Sequence, residues 1–195
     1  MDTTTILQHL TKSIETKQLL MRDPYPAHIR FIAEKWVEAL TQGGKILFCG
    51  NGGSAADAQH MAAELVVRLR GSFQRPAIAA LALTTDTSIL TAGGNDLGFE
   101  NIFARQVEAL AYPPDVLMAI TTSGNSPNVL KAVEAAHQKG VFVIGLTGGN
   151  GGQLIHQADF TLVVPSKITA HIQESHITIG HIICQLVEEA LFTSF

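Results

Sequence analysis

The chain has 195 residues, enough for one domain with a substantial core. Lys and Arg total 13 against 17 Asp and Glu, a formal net charge of −4, which argues against a protein that lives by contacts with nucleic-acid phosphates. No apolar run reaches the roughly eighteen residues a membrane span needs, and no basic-then-apolar leader follows Met1. Cys49 and Cys184 both sit in apolar runs, so the expectation is a cytoplasmic chain without disulfides, its cysteines small core residues. Hydrophobic residues make up 46% and charged residues 15%, lean in charge for a soluble monomer. That balance points to a homo-oligomer whose copies share apolar surface.

In chain order, Ile6, Leu7, Leu10, Ile14 and Leu19 recur at a helical period over residues 4–20. Asp23-Pro24-Tyr25-Pro26 breaks it. A second helical stretch, with Ile29, Ile32, Ala33, Trp36, Val37 and Leu40 on one face, stops at Gly43-Gly44. Residues 1–42 thus read as an N-terminal helical arm, either extra core or an oligomer surface. Lys45 to Cys49 is an apolar strand, cut by Gly50-Asn51-Gly52-Gly53 and followed by an alanine-rich helix from Ser54. Ala77–Leu83 reads as a buried strand, and Thr84-Thr85-Asp86-Thr87 as a turn and cap into a short helix ending near Gly93-Gly94-Asn95-Asp96. Phe99–Leu110 is helical and Val116–Ile120 a strand. Pro127 opens another helix, in keeping with its preference for the first turn. Val141–Leu146 and Phe160–Val164 are further strands, and a long helix over about 167–191 closes the chain. Strands apolar throughout that alternate with helices predict an α/β fold, a doubly wound parallel sheet covered on both faces. Ligands then bind at the carboxyl ends of the strands.

Two stretches carry chemistry. In the loop 121–126, Thr121, Thr122, Ser123 and Ser126 surround Gly124 at a strand-to-helix junction, an arrangement that binds phosphate through hydroxyls and free helix N–H groups. It lacks the G-x-x-x-x-G-K-S/T spacing of triphosphate loops, and Ala55 spoils a dinucleotide fingerprint in the first glycine turn. His60 and Glu64, at i and i+4, share one face of the helix that follows that turn. Gln173 and His181 lie eight residues apart in the apolar closing helix, just over two turns. The four residues fit a metal site of N and O ligands; alternatively, Glu64 and His181 are a base and an acid on opposite sides of a substrate. His176 falls on another face and reads as a core or surface residue. Arg68, one turn beyond Glu64, reaches either an anionic substrate or solvent. His9, His28, His137 and His156 have no partner pattern.

Cys-Gly-Asn-Gly-Gly-Ser, His60-x-x-x-Glu64, Asn95-Asp96, Thr-Ser-Gly-Asn-Ser and Ile-Gln-Glu-x-His-x-x-x-x-His, in this order, resemble the sugar isomerase (SIS) domain family and within it the bacterial phosphoheptose isomerases. The resemblance covers nearly the whole chain and implies one SIS domain over residues 1–195, with the arm at 1–42 and an α/β core at 45–195. It also implies a cytoplasmic homotetramer with active sites between subunits, acting on a phosphorylated seven-carbon sugar, with neither nucleic acid nor membrane as partner. The implied reaction turns sedoheptulose 7-phosphate into D-glycero-D-manno-heptose 7-phosphate, the first step towards the heptose of lipopolysaccharide. Carried over by position, Thr121, Thr122, Ser123 and Ser126 hold the phosphate, while Asn51, Gly52, Gly53, Asn95 and Asp96 line the sugar. Glu64 and His181 become the acid/base pair, and His60, Glu64, Gln173 and His181 a zinc site, one ion per subunit.

The chain departs from the pattern at Thr121-Thr122-Ser123, where relatives read Ser-Thr-Ser, and at His171, where they often carry arginine. The first keeps the hydroxyl; the second removes a charge. Two other classes share the architecture: a non-enzymatic tetramer that binds the replication initiator protein, and sugar-phosphate sensors. The former loses the carboxylate and the last histidine, both present here as Glu64 and His181.

Overall fold

A computed structural model describes residues 2–192. The two periodic stretches before residue 42 become α1 (Thr3–Leu20), capped by the Asp2 carboxylate on the Thr4 N–H, and α2 (Tyr25–Thr41). β1 (Ile46–Gly50) leads through the glycine turn into α3 (Gly53–Val66) and β2 (Ala80–Ala82). Then come α4 (Thr87–Asp96), a 3₁₀ turn (Phe99–Asn101), α5 (Ile102–Leu110), β3 (Val116–Ile120) and α6 (Pro127–Gln138). The chain continues with β4 (Phe142–Gly148), the single turn α7 (Leu154–Gln157), β5 (Phe160–Val164) and α8 (Thr169–Phe192).

All strand pairs are parallel, in the order β2-β1-β3-β4-β5, with Ile46 beside both Ala80 and Val116. Successive strand residues point to opposite faces. Ile46, Phe48, Met118, Ile120, Ile144 and Leu146 join Trp36 of α2, Met61 and Leu65 of α3 and Ile179 and Ile183 of α8 in one core. Leu47, Cys49, Leu117, Ala119 and Val143 meet Phe103 and Val107 of α5 and Val129 and Val133 of α6 in the other. The doubly wound sheet expected from the unbroken apolar strands is the observed one.

Several boundaries differ from expectation, β4 among them, which runs over Phe142–Gly148 rather than Val141–Leu146. β2 keeps only three of the seven residues in 77–83; on its upstream side the Ile78 N–H turns away from the sheet and donates to the Leu65 carbonyl near the end of α3. The helix expected from Phe99 opens instead as a 3₁₀ turn, entered through Gly98 at φ +85°, and becomes α-helical only at Ile102. α3 stops at Val66, so Arg68 is not on its next turn. Burial pushes the thiols of Cys49 and Cys184 up to about 12, in keeping with inert core residues.

Candidate active site

The strand order reverses between β1 and β3, the switch point at whose carboxyl ends open parallel sheets bind their ligands. The first loop, Asn51-Gly52-Gly53, turns at Gly52 (φ +54°), a left-handed conformation that favours glycine, and α3 begins there without a side-chain cap. In the second loop the Thr121 hydroxyl lies 2.9 Å from that of Ser126 and 3.4 Å from that of Ser123. The Ser126 side chain makes no capping bond to α6, so a helix N-terminus and three clustered hydroxyls are offered together. Gly124 (φ +68°) packs so closely on the backbone of Gly151 and Gly152 that a methyl group there has no room, which ties this loop to the one after β4. Between them a pocket of about 430 Å³ is lined by Thr122, Ser123, Gly148, Gly149, Asn150, Lys167, Thr169 and Ile172.

A reciprocal amide pair joins the first two loops. Asn51 Nδ2 donates to Asn128 Oδ1 and Asn128 Nδ2 donates back to Asn51 Oδ1, both at 2.8 Å. Asn51 therefore spends its side chain on positioning the glycine turn, and Asn128, buried in the first turn of α6, is a site residue that the sequence reading passed over.

Two turns along α3, His60 Nε2 stands 3.1 Å from Glu64 Oε1 and 2.9 Å from His181 Nε2 of α8. Gly180 makes this crossing close: a methyl there would run into the Met61 thioether. Two imidazole nitrogens at hydrogen-bond distance require one to donate and one to accept, unless both lone pairs converge on a cation. A carboxylate oxygen completes the donor set. The residues present thus fit a borderline metal with N and O ligands. The His60 side chain is 49% exposed and that of Glu64 18%, so the cluster opens to solvent in the single chain.

The remaining expected residues are placed less uniformly. The Gln173 amide packs against Gly53 at the start of α3, two turns of α8 before His181. Asn95 donates to Asp96 at 2.7 Å at the exposed end of α4, a helix that packs on α5 and the 3₁₀ turn. Arg68 is exposed. His176 is fully buried, its Nε2 at 3.2 Å from the Thr147 carbonyl, and burial pushes its pKa down to about 4, so it is a neutral core residue. Another missed residue is Arg75, buried with Glu188. Its Nε donates to the Glu188 carboxylate at 2.7 Å and another nitrogen donates to the Glu64 backbone carbonyl at 2.7 Å. Burial pushes the Glu188 carboxyl up, but bonds from Arg75, the Leu69 N–H and Arg70 outweigh it and hold the pKa below the ordinary range. A basic run from Arg68 to Arg75 facing two glutamates in an apolar helix was the available signal.

The family profile of the SIS domain matches residues 13–148, and the chain belongs to this family. A phosphoheptose isomerase of Aneurinibacillus thermoaerophilus is 51% identical over 188 residues, covering 96% of this chain and 94% of its own. One from Solidesulfovibrio magneticus is 61% identical over 154 residues, 79% of this chain and 74% of its own. The solved structure of a phosphoheptose isomerase from Francisella tularensis superposes with a TM-score of 0.92 at 41% identity, covering 97% of this chain and all of that one.

Proposed function

We propose that this chain is a phosphoheptose isomerase, an aldose–ketose isomerase that converts sedoheptulose 7-phosphate to D-glycero-D-manno-heptose 7-phosphate. The observation that carries this reading is the meeting of Glu64 and His181 through His60 on a helix whose leading glycine turn is clamped to the first turn of α6, just after the hydroxyl loop. Thr121, Thr122, Ser123 and Ser126 hold the phosphate. The Gly52 and Gly53 backbone, Gln173, Asn95 and Asp96 line the sugar chain. An anchored phosphate determines which carbon meets the base.

From the ketose, the Glu64 carboxylate takes a proton from C1 while the carbonyl oxygen on C2 gains one from His181, giving an enediol. His181 then takes the proton from the C1 hydroxyl, and Glu64 returns its proton to C2, leaving the aldose. A divalent ion at His60, Glu64, Gln173 and His181, zinc in our reading at one per subunit, would supply charge to polarise the carbonyl.

We read residues 1–195 as one SIS domain in a cytoplasmic homotetramer serving lipopolysaccharide heptose synthesis. No described helix is long and apolar enough to cross a membrane. Neither an initiator-binding protein nor a sensor needs a carboxylate and two imidazoles in contact. The direct test is incubation of the purified protein with sedoheptulose 7-phosphate while aldose is followed. Formation of heptose 7-phosphate is expected; binding without turnover would sink the reading.

A further inference from the structure

Helix α1 buries almost nothing apolar. Its buried residues are Thr16 and Leu20, both near its end, while Ile6, Leu7, Leu10 and Ile14 are each more than half exposed. The adjoining stripe carries His9, Ser13 and Lys17, one turn apart, and all three aim at Glu174 of α8. His9 Nε2 is 3.5 Å from Glu174 Oε1, and the Ser13 hydroxyl and Lys17 ammonium meet Oε2. His171, one turn before Glu174, is 2% exposed. Its ring lies 4.4 Å from that of His9, and its Nδ1 is buried without a hydrogen-bond partner, 3.7 Å from Glu174 Oε2.

We propose that His9, His171 and Glu174 form a second divalent-metal site, fastening α1 to α8. The three donor atoms lie within 4.8 Å of one another. Ligands bonded at about 2.0–2.1 Å in a tetrahedron stand roughly 3.4 Å apart; His9 and His171 stand 3.5 and 3.7 Å from opposite oxygens of the Glu174 carboxylate, so rotation of that carboxylate and of the half-exposed His9 ring closes the set on an ion. The orphaned His171 Nδ1 gains the partner it lacks, which matters because an unpaired buried polar atom is costly. Two imidazoles and one carboxylate select zinc, cobalt, nickel or copper over magnesium or calcium. Lys17 is the competing cation; at 40% exposure its long side chain swings into water when the metal enters, leaving Ser13 or a water for the fourth position. This site shares no residue with His60, Glu64 and His181.

The test is Co2+ binding to the metal-stripped full chain, read by calorimetric stoichiometry and by the visible absorption of the bound ion. It is run on the wild type, His9→Gln and His60→Gln, with circular dichroism confirming that each is folded. His9 is half exposed, so its replacement spares the core. The wild type is expected to bind one equivalent more than His9→Gln, with the His60→Gln variant retaining that equivalent. Equal stoichiometry in wild type and His9→Gln overturns the proposal, as does a single wild-type equivalent that disappears only in His60→Gln. Sugar-phosphate turnover is not the readout, so failure here leaves the isomerase reading standing.

Discussion

At the scale of single residues, the proposed reaction needs a carboxylate and an imidazole with opposite duties, the parts given above to Glu64 and His181. Glu64→Gln keeps the shape and removes the base, so turnover of sedoheptulose 7-phosphate should fall by at least about 10³-fold with the circular dichroism spectrum unchanged. A variant that isomerises at the wild-type rate would reassign the base. His176 gives a prediction of another kind, because it titrates far from its ordinary range for lack of water. Its folded pKa, about 4, lies below the 6.5 of the unfolded chain. Above pH 6.5 the residue is neutral in both states and costs nothing. As pH falls from 6.5 towards 4, the unfolded state takes the proton first, and stability drops by about 1.4 kcal/mol per pH unit. Between pH 7 and 5 this residue therefore removes about 2 kcal/mol. In urea unfolding at the two pH values, His176→Gln should show a difference smaller than the wild type's by that amount.

At the scale of elements, the sheet was legible because most strands are short, largely apolar runs that end at glycine, proline or hydroxyl residues. Val116–Ile120 and Phe160–Val164 form as read, to the residue. β2 was not legible in length, since an edge strand is bounded by what its neighbour offers, and β1 pairs with it only at Ile46, Leu47 and Phe48. In the site, the hydroxyl loop and the His60–Glu64 face could be read from spacing, because spacing within one helix or turn is local. The contacts that join elements could not: nothing in the chain announces that Asn51 meets Asn128, 77 residues on, or that Arg75 meets Glu188, 113 residues on. These long-range pairs are testable as struts. Asn128→Ala leaves the Asn51 amide without its partner and frees the glycine turn, so KM should rise roughly tenfold while kcat changes less, equivalent to about 1.4 kcal/mol. Arg75→Met is harsher. It takes from a fully buried carboxylate the closer of its two arginine partners, leaving Arg70 and the Leu69 N–H, and should lower stability in urea by less than the roughly 3–5 kcal/mol that a wholly unpaired buried charge costs. Arg75→Met with Glu188→Gln removes the under-paired charge and should recover part of that loss. No recovery would mean that the pair does not act as a unit.

At the scale of the whole molecule, the single chain is unfinished in two places at once. α1 presents Ile6, Leu7, Leu10 and Ile14 to water, where an isolated soluble helix would place polar residues. The His60–Glu64–His181 cluster opens outwards beside the exposed Val66, Val67 and Ile182, although proton transfer through an enediol gains from the exclusion of water. Both gaps close if other copies of the chain pack there, which supports the tetramer proposed above and gives the charge-lean composition a cause. The two are separable by experiment. Replacing Leu7 and Leu10 together by glutamate puts two charges on the exposed stripe without touching either core, so the monomer should still fold. Light scattering should then report a mass well below that of the wild-type assembly. If subunits shelter the site, kcat/KM should fall along with the mass, and high protein concentration should restore both in step. An unchanged mass would place the interface elsewhere, and lost assembly with full activity would show that one chain encloses its own site.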